Sequence, residues 1–299
     1  MSDKNAKVVE VRSANVLQDD KIISAEAIKM FKAGLDALSP AANGDSFLKQ
    51  LFPSGKKIGI KVNSLAGPRM STSPELVYAF ADVLYNSGHP KNDIIIWDRS
   101  ERELKRAGYT ISARGLGYLC IATDTTGVGF ANNLYSHKSI GSMVSKIQAE
   151  MIDLSVNFPV LKDHSLAGLS GCLKNNYGMI HNPNKYHPNS CDPYQADLYS
   201  LDIISDKEKL AIFDAIYVQY NGGPGYIDYW TEAYRAILLS TDAIALDTIG
   251  IQIIDKLRTQ NGFNPLKESG REPIGVKTAG KNGLGCAEPD KIEWLIIEV

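Results

Sequence analysis

Residues Lys56–Trp97 constrain the fold more than any other stretch, because they spell a strand, a capped helix and a second strand in succession. Lys56–Val62 (KKIGIKV) reads as a buried strand, and a loop carrying Asn63, Gly67, Pro68 and Arg69 follows it. Ser73 stands at the helix cap and Pro74 at the first helical position, where a missing N–H costs nothing. Leu76, Val77, Phe80, Ala81 and Leu84 recur at helical spacing, and Asn86-Ser87-Gly88 stops the run. Asp93–Trp97 is the second strand. Such a βαβ unit demands a parallel pair joined by a right-handed crossover. Ligands of parallel sheets bind beyond the carboxyl ends of the strands. Asn63, Ser64 and Arg69 after the first strand, with Asp98 and Arg99 after the second, are therefore candidate site residues.

Strand and helix go on alternating. Glu101–Ala107 reads as a charged helix, Tyr118–Thr123 as a short strand and Ala131–Gln148 as an irregular connection. Ile152–Phe158 is another strand; a helix opens at Asp192-Pro193 and runs to about Leu201. Lys209–Gln219 and Ala236–Ser240 are strands, Asp242–Leu257 a helix and Ile292–Ile297 a last strand. This alternation predicts an α/β protein. Its 299 residues suffice for two domains of ordinary size or one large one. The expectation is two α/β lobes with largely parallel sheets and an interlobe cleft. Residues 1–142 would form the N-terminal lobe with the substrate-side loop, and residues 143–299 the C-terminal lobe.

Lysine plus arginine total 32 against 34 acidic residues, a net charge of -2, which argues against a nucleic-acid surface. No run of apolar residues is long enough to insert in a membrane, and the polar start lacks the apolar core of an export signal. The chain as written is thus expected in the cytoplasm. Gly115-Leu-Gly117 and Gly127-Val-Gly129 lack the third glycine and the strand-to-helix setting of a dinucleotide fingerprint, and there is no Walker loop. No NAD or ATP signature is present.

Chemistry concentrates between His164 and Cys191, which hold three of the five histidines and two of the four cysteines. Imidazole and thiolate bind borderline metals and move protons near neutral pH. His164 and Lys174 flank a Gly-rich turn, and a lysine there can hold an anion, bond covalently to a cofactor or simply face solvent. His181, His187 and Cys191 follow in a Pro/Asn-rich loop, with Cys172 available to complete a metal set. Asn175 and Asn176 can read a polar ligand or tie down the loop. Asp163, adjacent to His164, is a weak candidate to orient the imidazole, since neighbouring residues rarely face each other.

The segments IGIKVNSLAGPRMSTSPELV, IIIWDRSERELKRAGY, LAGLSGCLKNNYGMIHNPNKYH and LLSTDAIALDTIG together resemble the domain-of-unknown-function 362 family, from about residue 55 onward. Members often carry an export signal or a fused iron–sulfur domain, so the resemblance also admits an exported mature form. More distantly, His164, Ser170, Gly171 and Lys174 are similar to the central motif of lactate racemase-like enzymes. That likeness implies a nickel-pincer cofactor tethered at Lys174, His164 as a base and His181 or His187 as a metal ligand. It also implies that Arg69 clamps a substrate carboxylate. Asp98 stands where those enzymes place a second catalytic histidine, and Cys172 replaces a glycine.

These readings lead to an enzyme, an isomerase or oxidoreductase, that moves a proton or hydride on a small hydroxy- or carboxylate-bearing substrate. His164, Lys174 and Asp98 would be catalytic. Asn63, Arg69, Asn175 and Asn176 would bind substrate, and His181, His187, Cys191 and Cys172 would bind a metal. The competing expectation is a redox or carrier protein holding iron, copper or zinc with no organic substrate, and the plainest is a ligand-binding α/β protein whose His/Cys loop is only structural.

Overall fold

The βαβ unit forms as its spacing predicts. The computed structural model describes residues 6–299, and Met1–Asn5, the start of the polar N-terminal segment, lie outside the described residues. In chain order the strands are β1 (Ala6–Arg12), β2 (Leu17–Gln18), β3 (Lys21–Ile22), β4 (Ile58–Val62), β5 (Ile94–Asp98), β6 (Leu119–Ala122), β7 (Phe130–His137), β8 (Ile140–Ser145), β9 (Leu154–Phe158), β10 (Val160–His164), β11 (Gly168–Ser170), β12 (Glu208–Gln219), β13 (Thr231–Ser240) and β14 (Ile292–Glu298). The helices are α1 (Ser24–Leu38), α2 (Gly44–Leu51), α3 (Pro74–Asn86), α4 (Glu101–Arg106), α5 (Cys172–Asn175), α6 (Tyr194–Tyr199), α7 (Asp202–Ser205), α8 (Ala243–Gln260) and α9 (Ile274–Lys281).

The architecture is mixed α/β, and it corrects the expected pair of lobes. One sheet runs in the order β14-β1-β13-β12-β9-β4-β5-β6, with β10 joined to β12 and β11 to β10. Strand β9, from beyond residue 142, lies between β4 and β12 and is parallel to both. The ladder therefore crosses the expected boundary without a break. The expected parallel character holds from β6 to β12, whereas β13 is antiparallel to both β12 and β1. The connection at Ala131–Gln148 is largely the β7–β8 hairpin.

Alternate residues of a strand serve opposite faces of the sheet. Ile58, Ile60 and Val62 join an apolar cluster with Phe31 of α1 and Phe80 of α3. Trp97, Phe213 and Leu238 join a second cluster with Leu173 of α5 and Ile249 of α8. Helices thus cover both faces. No helix among the described residues is long and apolar enough to cross a membrane.

Carboxylates fix the helices that flank the site. Asp242 accepts from Ile244 N and Ala245 N, both at 2.9 Å, and starts α8 as expected. Ser73 does not cap α3 with its side chain; its N–H and hydroxyl donate to Asp214 Oδ2 at 2.8 and 2.7 Å, tying α3 to β12. From α8, Asp247 accepts from Cys172 N at 2.6 Å and Leu173 N at 3.0 Å, so it serves the start of the short helix α5. A Cβ on Gly171 would overlap Asp247 Oδ1. Gly171→Ala is expected to lower stability by ~2 kcal/mol or more by prying that carboxylate from the buried N–H groups, as read in a urea titration. An unchanged midpoint would refute this account of the glycine.

Candidate functional site

The parallel strands bring their carboxyl ends to one edge of the sheet, and the site is built there. Strand β4 sends Ile58, Ile60 and Val62 to one face, which leaves Lys61 on the other. Lys61 is 1% exposed, and its Nζ lies 2.7 Å from Asp98 Oδ1 at the end of β5. The same amine donates to Val62 O at 2.8 Å and Asn175 Oδ1 at 3.1 Å. Asp98 accepts further from Arg99 N (2.8 Å), Ser64 N (2.8 Å) and Ser64 Oγ (2.7 Å). With four donors already on its two oxygens, Asp98 anchors the loop after β4 and leaves little capacity to take a proton from a substrate. Gly178 is required beside this pair, because a Cβ there would stand 2.8 Å from Lys61 Nζ.

Asn175 and Asn176 are buried, and they face inward rather than toward a ligand. Asn175 donates to Lys61 O and to Asn157 Oδ1, while Asn157 donates to Asn176 Oδ1, Cys172 O and Glu208. Their amides hold α5 against β4 and β9. Asp163 likewise turns away from His164, pairing with Arg271 at 2.8 Å and accepting from Gly223 N at 2.7 Å.

The groups left with unspent chemistry are His164, His187, Lys174 and Lys162. Leu166 N and Ala167 N both donate to His164 Nδ1, at 3.1 and 3.2 Å. A ring nitrogen that accepts carries no hydrogen, so the neutral tautomer of His164 bears its proton on Nε2. Burial, reinforced by Lys174, His187 and Lys162, pushes His164 down to about 3 and keeps it neutral. His187 has the opposite assignment. Its Nδ1 faces Pro183 O at 3.1 Å and must donate, which leaves Nε2 as a free acceptor. Burial, then Lys174, also lowers His187. The two rings stack with centroids 6.2 Å apart.

Tyr177 packs edge-on against His187 at 5.5 Å, and Lys174 Nζ lies 4.1 Å from the centre of the Tyr177 ring. The Lys174 amine makes no hydrogen bond or ion pair among the described residues. Burial lowers it to about 8. Lys162, absent from the residues expected at the site, is 1% exposed and donates to Met70 O at 2.9 Å and Asn63 Oδ1 at 3.3 Å. Burial brings Lys162 down to about 7. Two amines and two imidazoles thus form one electrostatically coupled cluster, and Asn63 borders it through Lys162. The loop that delivers His187 continues through Asn189, Ser190 and Cys191, all at positive φ. Left-handed backbone at three successive non-glycine residues persists only where the surroundings enforce it.

The expected metal set is not assembled. Among the described residues no group of three or more His, Cys, Asp or Glu side chains could hold a metal ion. Cys172 is buried at the start of α5, where burial and Asp247 raise its thiol well above the usual range. His181 is exposed and packs on Phe130 at 5.2 Å. Cys191 is buried beneath the loop, its thiol raised by burial, and all four cysteines are unpaired. Arg69 does not join the pocket through any contact of its own; its partners are Tyr226 and, at 3.9 Å, Asp228.

A family model described as Domain of unknown function (DUF362) matches residues 58–252, a span that includes all four groups of the pocket and excludes Arg271. No curated protein matches the chain.

Proposed function

The chain belongs to the DUF362 family, whose description names no reaction, and from the pocket itself we propose an enzyme that moves a proton at the carbon next to a carboxylate. One observation carries this reading: His164 and His187 are fixed by backbone groups in opposite tautomers beside an amine that meets the Tyr177 ring but makes no hydrogen bond or ion pair among the described residues.

A small 2-hydroxycarboxylate suits these groups. Lys174 and Lys162, in their protonated forms, attract the carboxylate into a largely buried space where a charge pair is stronger than in water. His164 offers a neutral Nε2–H to the hydroxyl oxygen on the adjacent carbon and so orients that carbon's C–H bond toward His187. His187 Nε2 takes the proton from that carbon as the C–H bond breaks, and the electron pair passes into the carboxylate, whose developing enediolate charge Lys174 and Lys162 balance. Return of the proton completes the exchange. Asp98 acts at one remove, by holding Lys61 and the loop that ends at Lys162's acceptors.

The finer likeness to lactate racemase-like enzymes would be an alternative use of the same residues. Lys174 has a free amine for a covalent link and His187 has a free ring nitrogen for a metal, so these two residues would hold a nickel-pincer group. When bound, such a group supplies a hydride acceptor. The second base of that scheme has no counterpart in Asp98, which is engaged by Lys61 and Ser64.

The test follows deuterium incorporation at the α-carbon of a panel of 2-hydroxy acids by proton NMR in D2O. Wild-type protein is expected to exchange at least one acid of the panel, with His187→Gln slower by ~100-fold or more, the usual scale of general base catalysis. Lys174→Ala is expected to weaken saturation as well as rate. No exchange with any acid, or equal exchange by the His187→Gln protein, would end the proposal.

A further inference from the structure

The loop that carries Met70, through Pro68, Arg69 and Ser71, also opens onto a cavity of about 360 Å³ that the histidine–lysine chemistry does not use. Its walls come from β3, the start of α3, the bulged part of β12 and the segment before β13, with Lys21, Arg69, Ser71, Glu75, Tyr226 and Asp228 at the points that matter. The volume sits at the small end of the ~300–1,000 Å³ range of metabolite sites.

Three polar groups there are unmatched. Ser71 is 4% exposed, and its hydroxyl is buried with no hydrogen-bond partner among the described residues. A buried hydroxyl without a partner costs ~1–3 kcal/mol, and a bound molecule that hydrogen-bonds to it removes that cost. Lys21 and Glu75 line the cavity with opposite charges, and neither has an ion pair or hydrogen bond among the described residues. The other carboxylates of the wall are occupied: Asp20 by Tyr217, Asp214 by Ser73 and Ile216 N, and Asp228 by Tyr226. Arg69 is 67% exposed on its side chain and meets Tyr226 and, at 3.9 Å, Asp228, so its planar fork has donors left over for a ligand.

We propose that this cavity is a second binding site, and that it takes a small zwitterion of the α-amino acid class. The carboxylate pairs with Arg69, which can grip it with two parallel hydrogen bonds, and Lys21 adds a second positive charge. The ammonium pairs with Glu75. Ser71 supplies the hydrogen bond that is otherwise unmade, and the Tyr226 ring limits the side chain the site accepts. A simple anion would leave Glu75 repelling it, and a simple amine would leave Arg69 and Lys21 unanswered. This site stands apart from the histidine–lysine pocket and does not depend on the reaction proposed for it.

The common L-amino acids, each titrated singly into the full chain by calorimetry, test the assignment, with acetate, succinate, ethylamine and glucose as matched probes. At least one amino acid is expected to bind with saturable heat and more tightly than any matched probe. Arg69→Ala and Glu75→Gln are each expected to weaken it about 10-fold or more, and Ser71→Ala about 5-fold, the scale of one charged and one neutral hydrogen bond. Lys174→Ala is expected to leave it unchanged. The proposal is overturned if no amino acid binds, if a matched probe binds as tightly as the best amino acid, or if Lys174→Ala abolishes binding while Arg69→Ala does not.

Discussion

Lys61→Met is expected to destabilise the fold by ~3–5 kcal/mol, the usual result of leaving one member of a buried ion pair without the other. Lys61 is not at the surface in any part: its side chain is 1% exposed and that of Asp98 is 8% exposed, with 2.7 Å between the charged atoms. Methionine restores the stem that lies against the Trp97 ring but not the ammonium. Asp98 keeps Ser64 and Arg99 N as donors and loses its only ion-pair partner among the described residues. Val62 O and Asn175 Oδ1 lose a donor at the same stroke. Lys61→Met combined with Asp98→Asn is expected to recover a large part of the loss, since no buried charge then stands alone. Urea titrations of the wild type, both single variants and the pair measure the coupling. Additive losses, or a Lys61→Met cost below ~1 kcal/mol, would show that the pair is an ordinary surface contact.

Lys162→Met is expected to act in the opposite direction, and only below about pH 9. The unfolded chain holds a lysine proton up to ~10.4, whereas burial releases the Lys162 proton near 7 in the folded protein. Between those values the unfolded state binds more protons, so this residue makes stability rise with pH. Below 7 its full penalty is present, at most about 5 kcal/mol on the scale of ~1.4 kcal/mol per unit. Methionine removes that penalty and leaves Met70 O and Asn63 Oδ1 short of a donor, at ~1–2 kcal/mol. The variant should therefore be more stable than the wild type by ~2–3 kcal/mol at pH 6, with the gain gone by pH 10. Lys174, lowered to about 8, adds to the wild-type slope with the same sign. Asp247 and Glu208, raised to about 7 and about 8, act oppositely: their stabilisation is lost as pH rises through those values. Taking the difference between variant and wild type at each pH cancels these shared contributions. A constant difference from pH 6 to pH 10 would sink the account. If it stands, Lys162 is kept at a cost to folding, as expected of a residue retained for binding rather than for structure.

How much of the structure was legible in the sequence depends on how local each signal is. The β4–α3–β5 unit could be read because Pro74, the helical spacing of Leu76 to Leu84 and the Asn86-Ser87-Gly88 stop all lie within a few residues of the elements they specify. The β7–β8 hairpin could not, since its Phe130–His137 strand is mostly exposed and polar and offers no period-two apolar pattern. A single sheet was also out of reach. Nothing near Leu154–Phe158 says that it will insert beside β4 rather than begin a new lobe. In the site, His164, Lys174 and His187 come from one segment and do converge. Lys162 was hidden because an isolated lysine in an apolar run looks like a strand's solvent face, and only β11 and the Met70 loop make it an interior one. Cys172 and His181 were misread together. Spacing along a loop cannot report that one side chain turns into the sheet and the other out to Phe130.

The place of β1 has a consequence for how the protein comes into being on the ribosome. That strand pairs with β13 and β14, whose residues are made more than two hundred positions after it. Through most of translation β1 offers Val8, Val9 and Val11 with both hydrogen-bonding edges open, the condition in which a strand recruits the wrong neighbour. The β4–β5–β6 ladder can close early, but β9 and then β12 must dock before β13 can receive β1. Completion is thus deferred until Ile292–Glu298 has been made, and a chain halted before Ile292 would carry an open edge on β1.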